Sequence, residues 1–291
     1  SGNIVIDGVD LGRAGRAQRK ALRRTIQMVF QDPYASLDPR VRVGDALAEV
    51  LSVHGLASGA QARRRRVAEL LEMVGLPESA GTRYPHELSG GQRQRIGIAR
   101  ALAVQPKILV LDEAVSALDV SVRAEVMNLL ARLRRELGLT YLFISHDLGM
   151  VRHIADRIAV MYLGQIVEIG PWQPVSDHPG HPYTVALQSA VPVADPAVEA
   201  ERPAVTVSGE VPDAAKPPVA CRFHPRCPLA EQVCREVEPR LLPFSDTTSP
   251  PSSGAETSGP AAGTPSHLVG CHVAQRERRA AADLIVAQEP R

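Results

Sequence analysis

Three short segments of the chain combine residue types and spacings suited to chemistry on phosphates. The first is Leu88-Ser89-Gly90-Gly91-Gln92, which runs directly into a helical pattern over 93–102. A hydroxyl and two glycines at a helix N-terminus make an anion site, because backbone N–H groups converge there and no side chain blocks approach. Taken alone, such a turn before a helix is usually just an ordinary cap. The second segment is Asp112-Glu113, two adjacent acids that end the apolar run Ile108-Leu109-Val110-Leu111. An apolar strand that delivers acids to its C-terminal end puts them where open α/β sheets bind ligands. One acid can hold Mg2+ through water while the other polarises an attacking water; a solvated strand end is the other reading. The third is His146, at the end of a similar run over 139–144. A lone histidine is more often structural, but two runs of one type would bring their ends to one sheet edge. Gln31, ahead of Asp32-Pro33, would join them there.

Such residues need a scaffold of alternating strands and helices, and the first 170 residues read that way. Residues 4–6 and 27–30 are short strands bounded by Gly and Asp-Pro punctuation. Over 63–74, Val67, Leu70, Leu71 and Val74 fall at i, i+3, i+4 and i+7, the stripe of an amphipathic helix. Its arginine run, 63–66, reads as a solvated face. The apolar run over 107–112 predicts a strand buried on both faces. Ser121 is placed to cap the next helix, whose stripe is Val122, Val126, Leu129, Leu130, Leu133 and Leu137, with Gly138 closing it. Residues 139–144 read as a second buried strand, and 157–169 as a hairpin turning near Gly164.

From Pro171 onward proline becomes frequent and periodicity is lost. A Ser/Thr/Pro/Gly/Ala tract over 245–266 reads as a flexible, disordered linker. A length of 291 residues suggests about two domains. The 33 basic residues nearly balance 32 acidic ones, which argues against a protein held by nucleic-acid phosphates. An apolar fraction of 44% suffices for a core, so disorder of the whole chain is excluded. The sequence holds no apolar run of the eighteen or so residues that a membrane-spanning helix needs.

The order of motifs carries a resemblance. Gln31, residues 88–92, residues 109–113, Ser116-Ala117-Leu118-Asp119 and His146 are similar to the Q-loop, signature motif, Walker B, D-loop and H-loop of ABC-transporter ATPase subunits. Residues 31–40 and 112–119, His181-Pro182-Tyr183-Thr184 and the stretch 221–228 resemble the oligopeptide/dipeptide (and nickel) importer branch. The resemblance implies an α/β fold: an ABC-type P-loop nucleotide-binding domain over 1–170 with a helical subdomain near 41–105. A small C-terminal accessory domain would follow over 171–291. It also implies an ATPase that energises uptake of a peptide or similar solute, with ATP and Mg2+ as ligands. Glu113 would polarise water, His146 would contact the γ-phosphate, and Asp112 with Gln31 would hold Mg2+. Ser89, Gly90, Gly91, Gln92 and Asp119 would meet nucleotide across a dimer with a second, identical or different, ATPase subunit. Membrane permease subunits and, indirectly, a solute-binding protein would be partners, at the cytoplasmic face of the membrane.

The lysine loop GxxxxGK(S/T) occurs nowhere in the sequence. By resemblance, residues 1–4 normally follow the Walker A helix, so that loop would precede Ser1, and the chain reads as truncated. The alternative is an ATPase-dead subunit or fragment that only donates its signature motif to a composite site. Cys221, Cys227, Cys234 and Cys271 are spaced C-x5-C-x6-C and then widely, a poor match to a zinc ribbon. By resemblance they are candidate ligands of a 4Fe–4S cluster; four unligated thiols are the plainer reading.

Overall fold

The computed structural model describes residues 2–32, 36–191, 207, 209–246 and 267–287. The chain divides into two units, Ser1–His146 and Asp147–Arg291. The first begins with an antiparallel pair, β1 (Val5–Ile6) and β2 (Val9–Asp10), and helix α1 (Arg16–Thr25). A parallel sheet follows in the order β3 (Ile26–Val29), β4 (Ile108–Asp112), β5 (Thr140–Ile144). Its register sets Met28 beside Val110 and Val110 beside Leu142, so these share one face; Val29, Leu111 and Phe143 share the other.

The two faces differ, which corrects the expectation of strands buried on both sides. Leu109 and Leu111 are fully buried, whereas Met28, Leu142 and Ile144 are exposed. The packed face is covered by helices α4 (Gly90–Leu102) and α5 (Val120–Leu137), and the Tyr141 hydroxyl donates to the Leu130 carbonyl of α5 at 2.9 Å. Among the described residues, the opposite face has no such cover, and β5 is an edge strand.

The helical part holds α2 (Val43–Val53), α3 (Ala60–Met73) and α4, with two short 3-10 turns before α4. Val67, Leu70, Leu71 and Val74 are buried as their spacing demands. The arginine run stays on the solvent side, where Arg65 and Arg66 pair with Glu69 at 3.2 and 2.9 Å. In α5, Ser121 is not the cap: Asp119 occupies that position and its side chain makes no capping bond. Gly138, at φ +63°, ends the helix in the left-handed conformation that glycine adopts without steric cost.

In the second unit, β6 (Arg157–Tyr162) and β7 (Gln165–Pro171) form the expected hairpin. Leu163 and Gly164 both have positive φ, as a tight right-twisted turn requires. The sequence reading put this hairpin in the first domain. It belongs to the second because β7 pairs with a distant strand, in the antiparallel order β6-β7-β9-β8, with β8 at Leu242–Pro243 and β9 at Leu268–Val269. Most of the 245–266 tract lies outside the described residues.

A buried carboxylate organises this sheet. Glu168 is fully buried and accepts from Gly180 N (2.8 Å), His181 N (3.0 Å), Thr184 Oγ1 (2.5 Å) and His267 Nε2 (2.7 Å). His181 is buried too, and its Nδ1 caps the following helix by accepting from Tyr183 N at 3.1 Å.

Two outcomes are expected from this packing. A Cβ on Gly91 would lie 2.3 Å from Val122 Cγ1, so Gly91→Ala should lower stability in urea titrations by about 1–3 kcal/mol, with Val122→Ala restoring part of the loss. Burial pushes the His181 imidazole down to about 3 from its ordinary 6.5. Below pH 6.5 the unfolded chain takes the proton that the folded one refuses, so stability should fall by up to about 1.4 kcal/mol per pH unit toward pH 3. His181→Asn, which can still cap, should flatten that slope; an unchanged slope would show that His181 does not set it.

Candidate functional site

The candidate site forms at the C-terminal end of the parallel sheet. Glu113 follows β4 directly, and its Oε2 accepts from Gln31 Nε2 at 2.6 Å while its Oε1 lies 3.2 Å from His146 Nδ1. The parallel register produces this meeting: strands aligned in one direction end together, so residues 82 and 33 positions away reach one carboxylate. Glu113 is half-buried and His146 exposed. The carboxylate is thus oriented from two sides without being sealed off, and lone pairs remain free for water.

Its backbone is unusual. Glu113 has φ +44°, a left-handed conformation that costs a residue with a Cβ roughly 1–2 kcal/mol. Glu113 N donates to the Ile144 carbonyl at 3.0 Å, tying the end of β4 to β5. The Glu113 carbonyl accepts from Ser116 N at 3.0 Å and Ser116 Oγ at 2.9 Å. Asp112 closes β4, half-buried. The sequence reading grouped Ser116 with the loop but missed its hydroxyl as a latch, since an isolated serine in a turn gives no such signal.

The glycine turn forms a second group. Ser89 caps α4: its Oγ accepts from Gln92 N at 3.3 Å, and Gln92 Oε1 accepts from Ser89 N at 3.0 Å, a reciprocal capping box. Gly90 sits against Leu118 and Gly91 against Val122, so the second glycine answers helix packing as well as ligand access. Among the described residues no hydrogen bond joins this turn, or the Asp119 side chain, to the Glu113 group. At the other end of α4, the half-buried Arg100 guanidinium bonds the Ser36 carbonyl, just beyond Gln31.

The cysteines lie in the second unit, with Cys221, Cys234 and Cys271 buried and Cys227 half-buried. Cys221 N donates to the Cys234 carbonyl at 3.1 Å. Burial raises the Cys221, Cys227 and Cys271 thiols, Cys271 to about 11, and the thiols also raise one another as neighbouring charges. Among the described residues, no group of three or more His, Cys, Asp or Glu side chains is placed to hold a metal ion. No helix among them is long and apolar enough to cross a membrane.

Residues 1–116 match the ABC transporter family, and residues 167–234 match the oligopeptide/dipeptide transporter C-terminal region. The chain is 45% identical over 273 residues to the oligopeptide transport ATP-binding protein AppF of Bacillus subtilis, covering 94% of this chain and 77% of that protein. It is 48% identical over 241 residues to the di/tripeptide transport ATP-binding protein DppF of Pseudomonas aeruginosa, covering 83% and 74%. Among solved structures, cbiO1 of Clostridium perfringens, part of the ABC transporter complex cbiONQ, aligns at TM-score 0.54 with 31% identity, covering 60% of this chain and 68% of that one. The ATP-binding cassette MJ0796, in a dimeric post-hydrolysis state bound to ADP and Pi, aligns at TM-score 0.51 with 31% identity, covering 59% and 74%.

Proposed function

Because the chain belongs to the family of ATP-binding subunits of oligopeptide and dipeptide ABC transporters, we propose that it hydrolyses ATP to energise import of a peptide or similar small solute through separate membrane subunits. The observation that carries this reading is the Glu113 carboxylate held between the Gln31 amide and the His146 imidazole. A carboxylate with both oxygens oriented and lone pairs free takes the proton of a water attacking the γ-phosphate. His146, exposed beside it, is suited to contact that phosphate.

Asp112 and the amide oxygen of Gln31 are the groups that would hold Mg2+. Hard oxygen donors in small number suit this ion, which keeps several waters and leans on substrate phosphates rather than on an all-protein cage. Bound there, the ion would supply positive charge to offset that on the phosphates. Ser89–Gln92 and Asp119 are read as contacts to nucleotide held by a second ATPase subunit, identical or different. The subunit would act at the cytoplasmic face of the membrane, docked on permease subunits that receive solute from a binding protein.

The 4Fe–4S cluster is a separate proposal. It rests on a ligand count of four cysteines, all in the second unit, although among the described residues no three such side chains are grouped to hold a metal ion as they stand. These four would hold it, and its contribution would be to fasten Cys271 to the 221–234 segment.

Two measurements check these readings. In the assembled transporter, Glu113→Gln keeps the shape and removes the base, so ATP turnover should fall roughly 10²–10⁴-fold while ATP still binds; turnover changed only a few-fold would remove Glu113 from that role. Anaerobically reconstituted protein should be brown and carry about four irons per chain, with Cys227→Ser bleaching it. Colourless, iron-free protein with every thiol titratable would establish the unligated cysteines instead.

A further inference from the structure

The Glu113 backbone is latched by Ser116, and the loop bearing Ser116 is gripped in turn from helix α5. The Arg123 guanidinium donates through Nη2 to the Leu118 carbonyl at 3.0 Å and, more weakly, to the Ser116 carbonyl at 3.5 Å. Arg123 is half-buried, and its own N–H bonds the Asp119 carbonyl at 2.8 Å. The side chain therefore folds back over the loop from the first turn of α5. A contiguous path runs from Arg123 to the Ser116 carbonyl, from the Ser116 hydroxyl to the Glu113 carbonyl, and from the Glu113 side chain to Gln31 and His146.

We propose that Arg123 is a positioning residue for hydrolysis: acting through Ser116, it holds Glu113 in its left-handed turn so that the carboxylate stays between Gln31 and His146. This deepens the reading of Glu113 as the base and rests on it. Arg123 itself touches no reacting group. Its chemistry suits the task, because a planar guanidinium keeps its charge and presents several donors at fixed angles, so one head group spans two carbonyls. A lysine ammonium is a compact point charge on a flexible stem and holds such a pair less rigidly. A carboxylate displaced by about 1 Å from its productive position can lose on the order of 10²-fold in rate, so a loop contact remote from the phosphate reaches the chemistry.

The test combines kinetics of the assembled transporter with amide exchange of the chain. Arg123→Ala should lower kcat about 10–100-fold while KM for ATP moves by less than about threefold, and Arg123→Lys should recover part of the loss. Ser116→Ala should cost less, and the double variant no more than Arg123→Ala alone, because both act through one backbone. Amides of Glu113 and Ser116 should exchange faster in Arg123→Ala while those of Leu109 and Leu111 in β4 stay protected, which separates a loosened loop from a loosened fold. A kcat within about twofold of the unmodified protein, or a lower kcat with exchange at Glu113 unchanged, would overturn the proposal. Glu113→Gln measured alongside keeps the two claims apart. If that variant turns over normally, the base assignment fails and the positioning role with it. If it is crippled while Arg123→Ala is fully active, positioning alone fails.

Discussion

A strand that ends in an acid would normally turn its last side chain to solvent, where it samples many rotamers. Glu113 escapes this because its backbone is forced into the left-handed region and pinned there. The cost of that conformation, roughly 1–2 kcal/mol, is offset by bonds to the Ile144 carbonyl and from Ser116, each worth about 1 kcal/mol net. The bond to Ile144 matters most for the architecture. It joins the ends of β4 and β5 beside the point where Glu113 and His146 meet, so the spacing of these two residues is a property of the sheet. Gln31 reaches the same carboxylate from β3, on the other side of β4.

The rest of the first unit holds this sheet end in a fixed relation to the glycine turn. Helices α4 and α5 approach closely at Gly91 and Val122, where no larger residue fits without movement. Arg95 of α4 donates to the Val74 carbonyl at 3.2 Å and Arg132 of α5 to the Met73 carbonyl at 2.8 Å. Two guanidinium groups thus sit on the last carbonyls of α3, the negative end of its dipole. Arg100 adds a tie from α4 to the segment after Gln31. The glycine turn, the helical part and the segment after Gln31 are connected through arginine-to-carbonyl bonds, and two of these guanidinium groups also pair with acids, Arg95 with Glu125 at 2.7 Å and Arg132 with Glu136 at 3.2 Å.

Much of this could be seen in the sequence, and for physical reasons. The apolar runs ending at Asp112 and Ile144, the glycine turn with its serine cap and the stripe of α3 are local patterns set by strand and helix periods. What escaped reading was set by partners far away. Leu142 has the composition of a buried strand yet is exposed, because β5 lies at the edge of the sheet and one face lacks cover among the described residues. The expected cap at Ser121 gave way to Asp119, since the chain enters α5 two residues earlier than the apolar stripe suggests. The domain boundary moved for a similar reason: the 157–169 hairpin is local, but the strand that continues its sheet comes from 268–269. Arg123 and Ser116 left no trace in the pattern because one serine and one arginine at a helix start are ordinary surface choices until the loop closes between them.

Two glutamates, one within a strand and one just past a strand end, differ in how many donors surround them. Glu168 has no exposed surface, and its two oxygens take four donors, filling its lone pairs. Such a carboxylate is expensive to disturb, because each abandoned donor would be left buried and unpaired, so it serves to join β7, the 180–184 turn and the start of β9. Nothing remains on it for a substrate. Glu113 has one side-chain partner on each oxygen and keeps about a quarter of its side chain exposed, at 28%. Its two partners leave acceptor capacity unused and constrain its direction without saturating it. Residue type is the same in both but the backbone is not, Glu168 lying within β7 and Glu113 in the bend after β4; the number of donors around each carboxylate separates a saturated structural fastening from one with acceptor capacity left.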